Sequence, residues 1–405
     1  MSQFSIKPIR SSGLGDQLGT QFMRLYRLGV ACGMEYVYDD LYFPRSVKPN
    51  WYDHIQTIHL NIRLALMRMT KGRKCRFASG VNALLMKIEA RLDQRLLTRK
   101  DDLAQFLNIS AIAKGRAEGH FIDVDVEKFI SACPDFTIAE LKNYIAEVCQ
   151  EDHLVPRLCW GAGVWAMIPK IDKALEGYDI PSPFAEAFGD RHSLDDVEER
   201  VVFHMRCGDS STVFLPSGKQ LIVYDKFLFT SEEQMSEIFA IDNHRRTILP
   251  EAFLDVFHKY NAEEVTVISD GFDLTYRNIL RNLLKWKCPV ALSKEDARSL
   301  VSQAKARNEV FKEFAGARLL VGESETLLKE SILAISAAQV LVWGVGGFAM
   351  NIRELFGGKQ CERILNIKEL TKKIAGDILR KHSESRVNLR KLKLGHCKKN
   401  KDSAK

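Results

Sequence analysis

The chain has 405 residues, more than one ordinary domain needs, so two domains are expected. Its nine cysteines show no repeated Cys-x-x-Cys spacing, which argues against a disulfide framework or a structural zinc site. Residues 1–10 lack the apolar core of a signal peptide, and no apolar run reaches membrane-spanning length, so a cytoplasmic location is expected.

The net charge of +7 is concentrated in two segments. Residues 59–100 carry eleven Lys and Arg against two acidic residues, and residues 380–405 carry ten against two. The first segment interleaves apolar and basic residues at helical spacing, which predicts either a helix on an anionic membrane surface or a hairpin with a core-facing stripe. The second predicts generic attraction to lipid headgroups or glycan phosphates. Few aromatic residues accompany these charges, so nucleic-acid binding is not expected.

The first 150 residues predict a strand, a glycine turn, a helix and a short strand, followed by helical and basic sequence over about 50–110. The turn contains Gly13 and Gly15, and the helix after it offers unpaired N–H groups to an anion or hydroxyl. A further strand is expected near residues 119–124. Thr137 and Glu140 then have the spacing of a capping box at the start of a helix.

The stretch 201–209 predicts a buried strand that ends in His204, Arg206, Gly208 and Asp209. Ligands of open α/β sheets bind beyond the carboxyl ends of strands, and a fixed guanidinium there suits phosphate. Arg206 is therefore predicted to clamp an anion, although an ion-pair role would explain it as well. Gly208 would let the backbone approach the ligand. Cys207 is expected to be a small buried residue rather than a nucleophile.

Strands and helices alternate in the rest of the chain, which implies a parallel sheet with right-handed crossovers. One predicted strand, at 264–269, ends in Ser269 and Asp270, and another, at 340–343, leads into a turn containing Gly346 and Gly347. Between them we expect helices at 274–284 and 325–337, a strand at 289–291 and a helical segment to about residue 316. Helices at 250–260 and 348–356 flank this region.

Four blocks in this order resemble the fucosyltransferase superfamily, which includes bacterial α-1,2- and α-1,6-fucosyltransferases and protein O-fucosyltransferases. The family has a Gly-Leu-Gly-Asn-Gln-type turn, a His-x-Arg-x-Gly-Asp strand end, a Ser-Asp strand end and a small-residue turn before the last main helix. The corresponding blocks here are Gly13 to Gln17, His204 to Asp209, Ser269–Asp270 and Gly344 to Phe348.

The resemblance implies a GT-B fold of the α/β class, in which two facing Rossmann-like domains enclose a cleft. An acceptor-side domain would cover 1–195, with the basic insertion at about 50–110. A donor domain would cover 196–368, and a basic helix and tail would follow at 369–405. The implied reaction moves fucose from GDP-fucose to a glycan hydroxyl with inversion, without a cofactor or a required metal, in cell-surface polysaccharide or lipopolysaccharide synthesis. Such an enzyme could be peripheral on the inner face of the cell membrane.

The resemblance also implies roles for individual residues. The catalytic candidates are Arg206, His204 and Asp209, and the donor-binding candidates are Gly13, Gly15, Asp16, Gln17, Gly208, Ser269, Asp270, Gly346, Gly347 and Phe348. Arg206 would hold the β-phosphate, with His204 contacting the donor or buttressing Arg206. Asp209 would hold Arg206 or bind the guanosine side. Asp270 would bind the ribose or guanine, or cap a helix.

Three departures from the family pattern leave alternatives open. Glycines replace the usual serines of the last turn, Asp16 replaces the usual Asn, and the general base is unassigned among Asp16, Asp209 and Asp225. Asp39–Asp40 fits a turn or an acceptor contact. The alternatives are a GT-B transferase that uses another nucleotide sugar and a non-catalytic glycan-binding or membrane-associated scaffold.

Overall fold

The fold is α/β, with parallel strands in its two larger sheets. The computed structural model describes residues 2–7, 14–38, 48–98, 103–115, 120–150, 154–160, 164–192, 201–208, 210–224, 226–239, 251–344, 347–357 and 363–366. The strands are β1 (Gln3–Lys7), β2 (Glu35–Tyr36), β3 (His120–Asp125), β4 (Leu154–Cys159), β5 (Val201–Met205), β6 (Ser210–Phe214), β7 (Gln220–Tyr224), β8 (Phe227–Phe229), β9 (Val265–Ser269), β10 (Arg318–Val321), β11 (Val340–Trp343) and β12 (Arg363–Asn366).

The first helix begins with a π-helical segment (Asp16–Phe22) that continues into α1 (Met23–Ala31). The other helices are α2 (Asn50–Thr70), α3 (Arg76–Thr98), α4 (Leu103–Phe106), α5 (Ile109–Ile112), α6 (Val126–Ala132), α7 (Ile138–Val148), α8 (Val164–Ala174), α9 (Phe184–His192), α10 (Glu232–Phe239), α11 (Glu251–Phe257), α12 (Asp273–Leu283), α13 (Lys294–Ala306), α14 (Glu325–Ala337) and α15 (Gly347–Phe356). In the described part of the chain no helix combines the length and the apolarity needed to cross a bilayer.

The central sheet has the strand order β10-β9-β5-β11-β12, and all of its pairs are parallel. Numbered by their appearance in the chain, these strands run 3-2-1-4-5, the order of a doubly wound Rossmann-like sheet. β5, β9 and β11 are rich in Val and Ile because helices cover both faces of the sheet. Phe203 packs on one face with Phe253 and Phe257 of α11, and the other face is covered by α14 and α15.

The N-terminal sheet has the order β2-β1-β4-β3 and is also parallel. Its core is continuous with one face of the central sheet, because Phe22 and Leu18 belong to the same buried cluster as Ile268 and Leu341. Phe184 connects the N-terminal core to this face of the central sheet, because its ring centroid lies 5.1 Å from those of both Phe22 and Phe356. The division at about residue 195 falls outside the described residues, so the predicted domain boundaries stay a prediction.

The basic segment folds as a helical hairpin, one of the two interpretations that the sequence allowed. Leu60, Leu64 and Met67 of α2 are buried against Ile279 and Leu280 of α12, in a cluster that also includes the inner face of the antiparallel sheet β6-β7-β8. The core-facing stripe of the hairpin therefore packs on the helices of the central sheet.

Most sequence-predicted elements are confirmed, and the errors have clear causes. The capping box of Thr137 and Glu140 starts α7, and the bounds of α14 and β11 agree with the prediction. The strand predicted at 289–291 is wrong, because this stretch is a connection between α12 and α13. The sheet edge is instead β10, a four-residue strand whose Leu319 is 41% exposed, so it lacks the buried pattern of an inner strand.

Candidate functional site

The strand order of the central sheet reverses between β5 and β11. The chain leaves β5 toward β9 on one side and returns through β11 on the other. Ligands of doubly wound sheets bind outside the carboxyl ends of the strands at such a point. His204 and Trp343 pair in register across it, so their side chains leave the same face of the sheet. This face is the one that α15 covers.

The N-terminal glycine block reaches the same edge through direct backbone packing. A Cβ on Gly15 would lie 2.5 Å from Cα of Phe348, and Nδ2 of Asn351 donates a hydrogen bond of 2.8 Å to the carbonyl of Gly15. Gly15 has right-handed helical angles (φ −60°, ψ −40°), so the prediction that it forms a tight turn is wrong. It is glycine because α15 approaches too closely for a side chain.

The first helix begins with a π-helical segment at this contact. Gln17 is buried within it, and Gly19 also packs directly against Asn351. π-helical turns are uncommon and occur frequently at functional sites. The predicted donor-binding Gly13 lies outside the described residues, as does the side chain of Asp16.

His204 is buried at the end of β5, with its ring centroid 5.5 Å from that of Phe348. Burial, and then the charge of Arg206, lower the pKa of His204 to about 4. The imidazole is therefore neutral near pH 7 and can donate or accept one hydrogen bond through Nδ1. Among the described residues that nitrogen has no hydrogen-bond partner. Phe348 thus packs on both His204 and Gly15, which links the first, second and fourth blocks.

Asp270 holds the backbone that follows β5. Its Oδ1 accepts a hydrogen bond of 2.7 Å from the amide of Cys207, and a Cβ on Gly208 would lie 2.6 Å from Oδ2. The suggestion that Asp270 caps a helix is wrong, because Phe272 occupies the N-cap position of α12. Position 208 needs a glycine because a side chain there would collide with the carboxylate of Asp270. Close approach of a ligand would be a second reason.

Two hydroxyl groups hold the loop after β5 through its carbonyl oxygens. Thr275 Oγ1 lies 2.8 Å from the carbonyl oxygens of both Cys207 and Gly208, and Ser211 donates to the carbonyl of Cys207. Thr275 is fully buried on the first turn of α12. Sequence reasoning missed it, although its place in the helix after the Ser-Asp strand end was a usable signal. Both the amide and the carbonyl groups of the loop that carries Arg206 are therefore held by hydrogen bonds.

The remaining predicted site residues lie at the same edge or outside the described chain. Ser269 is buried, pairs in register with Met205 and accepts a hydrogen bond of 3.1 Å from the amide of Gly271. Arg206 is half-buried directly after β5, and Gly347 and Phe348 open α15. Cys207 is buried, as expected of a small packing residue. Asp209, Asp225, Gly346 and the pair Asp39–Asp40 fall outside the described residues.

Three buried polar atoms near this edge have no hydrogen-bond partner among the described residues. They are Nδ1 of His204, Nε1 of Trp343 and Oγ of Ser210. A buried polar group left in that state costs about 1–3 kcal/mol, so native structures rarely tolerate several together without a reason. His204 and Trp343 are neighbours on adjacent strands, so a polar ligand at the reversal point could satisfy both.

Comparison with protein-family models, with curated proteins and with solved structures gives no match for this chain. What bears on its function is therefore the geometry of this sheet edge and the four sequence blocks that meet there. The blocks are separated by up to about 330 residues in the chain, yet each contacts another through a named pair: Gly15 with Phe348, Phe348 with His204, and Cys207 with Asp270.

Proposed function

We propose that this chain is a glycosyltransferase that uses a nucleoside-diphosphate sugar, with GDP-fucose as the donor. The observation that carries the proposal is the convergence of the four blocks at the strand reversal of the central sheet. A nucleotide bound there would lie between the loop after β5, which begins at Arg206, and the first turn of α15. The fucose and guanine parts of the proposal rest on the resemblance to the fucosyltransferase superfamily.

The chemistry depends on charge that develops on the leaving group. As the bond to the anomeric carbon breaks, negative charge grows on the nucleoside diphosphate. Arg206 would meet that charge, and the backbone N–H groups of Gly347 and Phe348 would supply further donors. Asp270, Thr275 and Ser211 support this role because they hold the loop after β5 in one conformation.

His204 would work as a neutral hydrogen-bonding group beside Arg206. Its lowered pKa supports this role, because an imidazolium next to the guanidinium would be repelled and is disfavoured by burial. Nδ1 would contact the donor directly or through Arg206. The acceptor proton would pass to a carboxylate among Asp16, Asp209 and Asp225, whose side chains lie outside the described residues. No base would be needed if bond breaking runs well ahead of nucleophilic attack.

In this proposal the chain has a GT-B arrangement. The central sheet binds the donor, and the N-terminal sheet contributes the acceptor side. Support comes from the Rossmann-like order of the central sheet and from the parallel N-terminal sheet, whose first helix begins at Gly15 beside Phe348. The acceptor would be a glycan of the cell surface, and the enzyme would act in the cytoplasm.

Nucleotide binding to the purified full chain tests the proposal. Thermal stabilisation by GDP, UDP, ADP and CMP should be compared in the wild type, in Arg206→Ala and in Arg298→Ala, an exposed arginine of α13. A ligand at 100 times its Kd stabilises the native state by about 2.7 kcal/mol. We expect GDP to stabilise the wild type and Arg298→Ala most, and Arg206→Ala least. Preference for UDP or ADP would assign another sugar donor. No stabilisation by any nucleotide would refute the proposal.

Transfer is proposed to need no metal, as the resemblance implies. The activity of the full chain on GDP-fucose should then be the same in EDTA and in Mg²⁺ or Mn²⁺, since Arg206 and backbone N–H groups would carry the role that a cation has elsewhere. Strict dependence on an added divalent ion would refute this part of the proposal and leave the donor site to be tested separately.

A further inference from the structure

The α2–α3 hairpin ends in a turn that combines exposed apolar and basic side chains. Met69 is 72% exposed and Phe77 is 68% exposed, the two highest values among the large hydrophobic residues described. Residues 68–77 also contain five basic residues and no acidic one. We call this segment the hairpin turn. Exposed Met and Phe side chains in a field of positive charge need a partner that is both apolar and anionic.

A neighbouring loop extends the same surface. Trp286 follows α12 and is 43% exposed, between the exposed Lys285 and Lys287. The guanidinium of Arg76 lies 5.4 Å from its ring centroid, and the amide of Trp286 donates a hydrogen bond of 3.0 Å to Oγ of Ser79. The indole is therefore held against the hairpin turn. Tryptophan with flanking lysines is typical of residues at the boundary between lipid and water.

The hairpin presents this surface rigidly, because a buried ion network anchors it. Arg63 of α2 is fully buried and donates to Glu89 of α3 over 2.7 Å, and Arg281 of α12 also donates to Glu89. Gly72 packs against Ala297 of α13, so the turn itself is seated on the domain. A preformed surface loses little entropy on binding, which favours docking.

We infer that the hairpin turn and the Trp286 loop dock the protein on an anionic lipid bilayer. Met69, Phe77 and Trp286 would enter the headgroup region, while Arg68, Arg73 and Lys74 contact lipid phosphates. A bilayer suits this surface better than nucleic acid does, because Met69 and Phe77 require an apolar medium and Arg76 already covers one face of Trp286. The inference goes beyond the proposed transfer reaction and does not depend on it.

Vesicle co-sedimentation of the full chain tests the inference. The wild type should bind vesicles of phosphatidylcholine mixed with phosphatidylglycerol, bind vesicles of phosphatidylcholine alone much less, and lose binding as salt rises. Replacing Arg68, Arg73 and Lys74 by Gln should weaken the partition coefficient by about 100-fold, on the basis of roughly 1 kcal/mol per basic residue. Met69→Ser with Phe77→Ser should weaken it at every salt concentration.

A matched control uses exposed residues on, or just after, the helices that flank the N-terminal sheet. Lys128→Gln with Lys142→Gln should leave vesicle binding unchanged, as should Tyr178→Ser, because these side chains lie away from the hairpin. All substituted side chains are exposed, so thermal unfolding should confirm that every variant is folded. Wild-type binding in the hairpin variants would overturn the inference and assign lipid binding to residues 380–405. Equal binding to both vesicle types, or tighter binding to an oligonucleotide, would also overturn it.

Discussion

Gly15 and Phe348 lie in backbone contact although 333 positions separate them, since a Cβ on Gly15 would come within 2.5 Å of Cα of Phe348. The contact joins the helix that follows the N-terminal strand to the helix that follows β11. It brings the first sequence block to the carboxyl edge of the central sheet, where the other three already meet.

Gly15→Ala should therefore be destabilising. The added methyl group must push the π-helical segment away from α15, and overpacking of this kind costs about 1–3 kcal/mol. Urea unfolding measures the loss, and transfer activity should fall with it. Gly80→Ala is the control, because no atom beyond its chain neighbours and the backbone of α3 lies within 4 Å of its Cβ position. That change should stabilise by about 0.5–1 kcal/mol. Equal effects of the two substitutions would argue against the close contact.

Arg206→Ala should reduce kcat for transfer by about 10²–10³ while the free energy of unfolding stays near that of the wild type, by analogy with the loss of an oxyanion-hole donor. Arg206→Lys should recover part of the rate, because it keeps the charge and loses the planar fork. Steady-state kinetics with GDP-fucose provide the measurement. Full activity of Arg206→Ala would show that Arg206 does not stabilise the leaving phosphate.

Thr275→Val should weaken donor binding and stability together. The substitution keeps the shape of the side chain but removes the hydroxyl near the carbonyls of Cys207 and Gly208, at a cost of about 1–3 kcal/mol. A raised KM for the donor is expected, because the loop that carries Arg206 is released. Thr57→Val, at an exposed position of α2, should change neither quantity. An unaltered KM in a destabilised Thr275→Val would limit Thr275 to a structural role.

His204 should make stability depend on pH between about 4 and 6.5. Its pKa is about 4 in the folded chain, lowered by burial and then by Arg206, against 6.5 for an ordinary histidine. The unfolded chain therefore binds more protons in this range, and stability rises with pH by about 3 kcal/mol. His204→Gln should remove that part of the slope in denaturation measured at pH 5 and 7, whereas His54→Gln, on the exposed face of α2, should not. A slope that survives His204→Gln would contradict the assignment.

Glu89 should act in a lower pH range. Burial raises its pKa, but hydrogen bonds and charge from Arg63, with the charge of Arg281, lower it to about 2, against 4.5 for an ordinary Glu. Stability is therefore complete above about pH 4.5 and is lost as pH falls toward 2, by about 3 kcal/mol in total. Glu89→Gln should cost about 3–5 kcal/mol near neutral pH, since it leaves buried guanidinium groups without a counter-charge. If Glu89→Gln left the free energy of unfolding in urea unchanged, the network would add no stability.

Much of the fold follows from local sequence. The apolar runs of β5, β9 and β11 are short, β-branched and bounded by polar residues, so their strands can be predicted from pattern alone. Helix caps can be predicted in the same way: Thr137 and Ser324 both begin helices as N-caps whose side chains accept a hydrogen bond from the backbone amide three residues on. β4 was missed because Pro156 and Arg157 interrupt its apolar pattern, although the strand lies between β1 and β3.

The sequence by itself determined the α/β class, the strands β5, β9 and β11 and the four blocks, because each depends on residues within a few positions of one another. Only the tertiary structure decided that Gly15 serves close packing, that Asp270 holds the amide of Cys207, and that the basic hairpin packs on α12 while its turn stays exposed. Those facts depend on contacts between residues far apart in the chain. Such contacts are set by how the buried faces pack together, and no local pattern encodes them.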